Sequence, residues 1–120
     1  MYMDTFQNLN AWKEAHKLVL MIYKTTKTFP SDERFRLVDQ LCRSASSVAA
    51  NLVEGNARLS RKEHIQFVNL SKGSLEETKY HLLLAKDLEY ITMEKYNLLL
   101  DQTYVVGRLI TGLLRFLQKT

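Results

Sequence analysis

Apolar residues recur at alternating steps of three and four in four separate stretches of this chain, a rhythm that gathers each set on one face of an α-helix. The first stretch carries Trp12, Ala15, Val19, Ile22, Tyr23 and Thr26, and the second Val38, Leu41, Ala45, Val48 and Leu52. The third reads Phe67, Ser71, Ser74 or Leu75, Thr78, Leu82 and Ala85, with small residues midway that let a neighbouring helix come close. The fourth is Tyr96, Leu99, Thr103, Val106, Ile110, Leu113 and Leu117. A helix with one apolar stripe must bury it against another helix, so four stripes in a chain of 120 residues predict one all-α domain over residues 1–120.

Punctuation between the stripes agrees with this. Phe29-Pro30-Ser31 stops the first helix, because proline bars helical geometry at its predecessor, and Ser31 is expected to cap the second with Asp32 and Glu33 at its positive end. Ser60-Arg61-Lys62-Glu63 reads as a capping box for the third helix, and Thr92 as the cap of the fourth. Helices are predicted at about 8–28, 32–57, 61–89 and 93–118. Loops this short force antiparallel neighbours, hence an up-down-up-down four-helix bundle. One proline and four glycines leave too little turn chemistry for an all-β fold. At 46% hydrophobic and 25% charged the chain is an ordinary globular one, which excludes disorder.

Seventeen Lys and Arg against thirteen Asp and Glu give a net charge of +4, which mildly favours polyanionic partners and equally serves solubility. Cys42, the only cysteine, has no partner for an intrachain disulfide and sits in an apolar run where a thiol packs as a small hydrophobe. The first nine residues lack the basic start and apolar core of a signal peptide, and no run approaches the roughly 20 apolar residues of a membrane span. A cytoplasmic protein with no membrane association is expected.

Chemistry-bearing motifs are absent. A di-metal bundle needs Glu-x-x-His pairs; Glu77 precedes His81 by four, and His16 and His64 supply no matching partner. Phosphate-loop, dinucleotide, nucleophile-elbow and zinc-protease signatures are missing too. No catalytic residue, metal site or cofactor is expected.

Helix 2 carries a continuous polar stripe of Glu33, Arg36, Gln40, Ser47, Asn51, Glu54 and Arg58. Ser47 and Asn51 are mediocre in a helix interior, so their place at mid-helix suggests a packing or partner role, although a solvated face accounts for the stripe as well. Cys42, Ala49 and Val53 widen the apolar arc of this helix beyond one neighbour, which argues for self-association. Lys13, Lys17 and Lys24 share a face of helix 1, Lys72, Lys79 and Lys86 repeat at seven on helix 3, and Arg58, Arg61 and Lys62 cluster at one loop. Such lines are ordinarily solvated exteriors; brought together by several subunits, they would hold phosphates. No base-reading motif accompanies them.

The segment Gln40-Leu41-Cys42-Arg43-Ser44-Ala45-Ser46-Ser47-Val48-Ala49-Ala50-Asn51-Leu52-Val53-Glu54-Gly55, followed by Arg58, resembles the signature of the four-helix-bundle proteins encoded in intervening sequences of bacterial 23S ribosomal RNA genes. The resemblance extends to Phe6, Leu9, Ala15, Tyr23, Phe29-Pro30, Glu33, Glu63, Phe67, Gly73-Ser74, Glu76 and Leu88-Glu89-Tyr90-Ile91. The family often has proline at the position of Ala49, alanine at Ser71 and an apolar residue at Thr78. The resemblance implies a bacterial bundle without enzymatic activity that assembles as a ring-like homopentamer. It is similar in this to a basic accessory protein of diversity-generating retroelements that binds nucleic acid.

The expected function is therefore an oligomeric, non-enzymatic bundle that contacts RNA or DNA in a ribonucleoprotein or mobile-element setting; the alternative is a protein-binding scaffold. Arg36, Arg43, Arg58, Arg61, Lys62, Lys72 and Lys79 are the candidate phosphate contacts. Gln40, Ser47, Asn51, Glu54 and Gly55 are candidates for structure or subunit contact.

Overall fold

The computed structural model describes residues 5–119; Met1–Asp4 and Thr120 of the predicted domain lie outside them. Among the described residues there are four α-helices, α1 (Asn10–Thr26), α2 (Leu37–Asn56), α3 (Arg61–Asp87) and α4 (Met93–Gln118), and no strand. Each helix packs on its chain neighbours, and α1 closes the bundle against α4. Contacts between α2 and α3 pair Ser44 with Thr78 and Ser47 with Ser74, so residue numbers rise on one helix as they fall on the other. Lys86 over Tyr96 and Lys79 over Tyr104 show the same for α3 and α4. The architecture is the antiparallel up-down-up-down bundle that the apolar stripes require.

The core follows the stripes, rotated slightly. Leu18, Ile22, Leu41, Val48, Leu52, Leu75, Leu82, Leu99, Val106 and Ile110 are fully buried. Burying one such side chain stabilises by about 1.5–3 kcal/mol, so this lane supplies most of the driving force. On α1 the buried line is Ala11, Ala15, Leu18, Ile22 and Thr25, which leaves Tyr23 half exposed. Thr25 and Thr28 hydroxyls donate to Met21 O (2.8 Å) and Thr25 O (3.0 Å), side-chain bonds back onto the end of α1.

Helix caps explain two departures from the sequence-based boundaries. After Pro30 the chain forms a short 3-10 turn, Ser31–Glu33, and Arg36 adopts φ −116° and ψ −105°, so α2 starts at Leu37 and not at about 32. Ser31 makes no side-chain cap to α2. The turn is held instead by Glu33, whose carboxylate accepts a 2.7 Å hydrogen bond from the Tyr90 hydroxyl across the bundle end. That bond, with burial, raises the pKa of the Tyr90 phenol. At the far end of α3, Glu89 takes the left-handed conformation (φ 64°); Tyr90 N–H reaches Ala85 O and Glu89 N–H reaches Lys86 O, both at 2.9 Å. This is a Schellman stop without the usual glycine, and it turns the chain into α4. Ser60 and Thr92 cap as expected, their hydroxyls accepting from Glu63 N–H and Lys95 N–H.

The α2–α3 seam is unusually small and polar. Ser71 donates to Val48 O (2.7 Å), Thr78 to Ser44 Oγ (2.9 Å), and Ser47 and Ser74 hydroxyls lie 2.8 Å apart. Asn51 Nδ2 donates to Ser47 O and Oγ (2.9 and 3.0 Å). At the end of the seam Gly55 is buried, and a Cβ there would lie 2.9 Å from His64 Cδ2 and 3.0 Å from Phe67 Cβ. His64 is half-buried with no partner on Nε2, and burial lowers its pKa.

Two predictions follow from the packing. Gly55→Ala should lower stability by about 1–2 kcal/mol, because overpacking outweighs the gain in helix propensity, whereas Gly73→Ala, with nothing near its Cβ, should raise it by up to about 1 kcal/mol; urea titration reads both. The second concerns pH. An unfolded imidazole takes up a proton below about 6.5, and folded His64 only at lower pH. Stability from this group is thus full above that value and falls as pH drops towards the folded pKa. Wild type should lose more stability than His64→Gln between pH 7.5 and pH 5.5 in paired urea titrations.

Candidate nucleic-acid interface

Helix α3 shows hydroxyls to α2 and a row of lysines towards α4. Lys72, Lys79 and Lys86 stay on one flank because a seven-residue step drifts only about 20° around the helix. Helix α4 answers with Tyr96, Tyr104, Arg108 and Arg115. Lys86 Nζ sits 5.0 Å from the centroid of Tyr96, and Lys79 Nζ 4.8 Å from that of Tyr104, each ammonium held by the ring's negative face. Beyond them the two helices border a groove of about 450 Å³ lined by Lys72, Glu76, Lys79, Tyr104, Arg108 and Arg115, with Leu75 and Gly107 among its walls.

Its charge is one-sided. Four cations face one carboxylate, and Glu76 is already engaged by Lys79 Nζ at 2.9 Å. Lys72, Arg108 and Arg115 form no ion pair among the described residues. Adjacent like charges in a concave surface raise the local potential and attract anions.

The seven basic residues expected from sequence fall into three places. Lys72 and Lys79 meet in the groove. Arg58, Arg61 and Lys62 gather at the α2–α3 corner: Arg58 bonds Glu54 (3.1 Å) and stacks over Phe67 (4.6 Å), and the Arg61 guanidinium donates to Lys119 O. Lys62 borders a second groove, of about 440 Å³, with Ile65 and Leu117 at the end of the α3–α4 pair. Arg36, the residue before α2, and Arg43 within it are exposed and line neither groove. Arg108, Arg115 and Tyr104 were not singled out from sequence, although Arg108 and Arg115 repeat at seven as the α3 lysines do.

Of the contact candidates, Ser47 and Asn51 belong to the α2–α3 seam, Glu54 to the Arg58 ion pair and Gly55 to the His64–Phe67 contact, while Gln40 is exposed on α2. Within the polar stripe of helix 2, Ser47 therefore bonds α3 and Asn51 bonds back to Ser47, while Arg36, Gln40, Glu54 and Arg58 are exposed. His81 is buried on α3 with Nε2 3.9 Å from Glu77 Oε1, too far for a hydrogen bond. Cys42 is half-buried with Sγ 3.7 Å from Thr26 Oγ1, and burial raises its pKa. Among the described residues no three His, Cys, Asp or Glu side chains are grouped to hold a metal, and no helix is long and apolar enough to cross a membrane.

A family model described as 23S rRNA-intervening sequence protein matches residues 7–112. The fold is similar to the crystal structure of a protein of unknown function from the S23 ribosomal protein family of Bacteroides thetaiotaomicron, at a TM-score of 0.81 and 24% identity, covering 88% of this chain and 95% of that one. No curated protein matches the chain.

Because Lys72 and Arg108 neutralise nothing in the fold, Lys72→Ala and Arg108→Ala should each change stability by no more than about 0.5 kcal/mol. Relief of like-charge crowding should make any shift a stabilising one, larger at low salt; thermal melts at two salt concentrations check this.

Proposed function

This chain belongs to the 23S rRNA-intervening sequence protein family, and from that premise we propose that it acts without catalysis, as an oligomeric helical bundle that holds nucleic-acid phosphates on its basic surface. The setting is a cytoplasmic ribonucleoprotein or mobile-element assembly, with the whole chain working as one domain. A single observation carries the reading: Lys72, Arg108 and Arg115 are gathered in one groove with no opposing carboxylate of their own. Such clustering costs the fold repulsion and returns nothing to it, so a polyanion is the partner it suits. Lys62 and Arg61, at the end of the same helix pair, extend the surface, and the exposed Arg36 and Arg43, before and within α2, add further positive charge.

Self-association is supported by what α2 leaves uncovered. Phe35, 84% exposed, precedes it and the fully exposed Leu59 follows it, while Ser46 and Ala50 within it and Ala57 at its C-terminal cap keep part of its outward arc low enough for another helix to approach. A ring of five copies, as the family resemblance implies, would multiply the groove's field around one axis. The same bare side chains favour the second reading, a scaffold that docks another protein.

Light scattering should give a mass near 70 kDa, about five times the 14.0 kDa chain. The assembled protein should retard RNA or DNA in a mobility-shift titration, with an affinity that falls steeply between low and moderate salt. A monomer, or an assembly whose binding is absent or indifferent to salt, would count against the proposal; a protein pull-down that survives nuclease would favour the scaffold.

A further inference from the structure

We propose that the α3–α4 groove takes a single-stranded stretch of nucleic acid, with an unpaired base stacked on Tyr104 and the adjoining phosphates held by Lys72, Arg108 and Arg115. The inference rests on the nucleic-acid reading above and narrows it.

Tyr104, on α4 at the wall of the groove, is 49% exposed, so its ring is not there to fill the core. Lys79 backs the ring at 4.8 Å and is itself fixed by Glu76 at 2.9 Å. The ring is thus steadied by a cation on one side, a platform that loses little freedom when something lands on it. The same ion pair neutralises Glu76, the carboxylate in the groove that would repel phosphate.

Gly107, one turn along α4, is the second observation. A Cβ there would lie 3.6 Å from Leu75 Cδ2, an ordinary contact, so packing does not require glycine. Its φ is not positive, so the backbone does not require it either. Glycine in mid-helix weakens the helix. What its missing side chain does is keep the groove open beside Tyr104.

Strandedness follows from shape. Bases in a duplex are stacked on each other and show only their edges, whereas an unpaired base presents its face to an aromatic side chain. The groove, of about 450 Å³, has room for a base and its adjoining phosphates, whereas a double helix could only lie across its rim. Arg108 stands one turn from Tyr104 and Arg115 about 10.5 Å further along the axis, which suits cations tracking a strand that runs along the groove.

Fluorescence anisotropy of labelled dT and U homopolymers, and of a mixed-sequence duplex, tests this with the full-length protein at two salt concentrations. Either single strand should bind more tightly than the duplex. Tyr104→Ala should weaken single-strand binding about 5- to 100-fold without changing the salt slope, and Tyr104→Phe should retain it. Lys72→Ala and Arg108→Ala should each reduce the slope by about 0.7. If Tyr104→Ala binds single strands like wild type, or the duplex binds equally well, stacking is overturned, and salt-dependent binding would leave the phosphate reading standing. If no nucleic acid binds, both fall.

Discussion

The seam between α2 and α3 sets the geometry on which the rest of the bundle depends. Its residues are small: Ser44, Ser47 and Gly55 on one helix, Ser71, Ser74 and Thr78 on the other. Small side chains let two helices approach until hydroxyls reach across, and a buried hydroxyl must then find a partner, because leaving it unpaired costs about 1–3 kcal/mol. Each does. Apolar burial would tolerate some sliding or rotation of α3; a ladder of 2.7–2.9 Å hydrogen bonds tolerates little. Gly55 fixes the end of the ladder by contact, since His64 and Phe67 occupy the space a side chain would need.

Two positions at which the family resemblance implies other residues lie in that seam. Ser71, where the resemblance implies alanine, donates its hydroxyl to Val48 O. Thr78, where the resemblance implies an apolar residue, donates to Ser44 Oγ, with Ser74 O as a second acceptor within reach. Each net hydrogen bond is worth only about 1 kcal/mol, so the exchange of an apolar atom for a hydroxyl is close to neutral in stability and gains orientation. The third such position, Ala49, lies at 8% exposure inside α2, which continues without a break through a position where proline would remove an N–H donor.

How much of this was legible in the sequence depended on whether the signal was local. Apolar periodicity and the Ser60 and Thr92 caps belong to single helices, and the fold class could be read from them. The late start of α2 could not, because its turn is held by Glu33 and Tyr90, far apart in the chain, and by a backbone angle at Arg36 that no residue type demands. Helix 2's polar stripe had the right residues and two possible faces; only the position of α3 decided that Ser47 meets Ser74, with Asn51 bonded behind it. In the groove, the α3 lysines were visible as a repeat of seven. Arg108 and Arg115 carry the same repeat, but they become part of one surface only when antiparallel pairing sets residue 79 beside residue 104.

Helix α3 is where structure and the proposed function are kept apart. Its 27 residues show hydroxyls on the flank towards α2 and ammonium groups on the flank towards α4. Hydroxyls can be buried cheaply when paired, so they occupy the flank that must be close; lysines keep their charge in water while their stems lie along apolar surface, so they occupy the flank that stays open. A chain built the other way would bury ammonium groups at several kcal/mol each, and its groove would carry no field. The seam holds α3 in rotation, that rotation aims the lysines at α4, and so the electrostatic surface rests on hydrogen bonds made on the opposite side of the same helix.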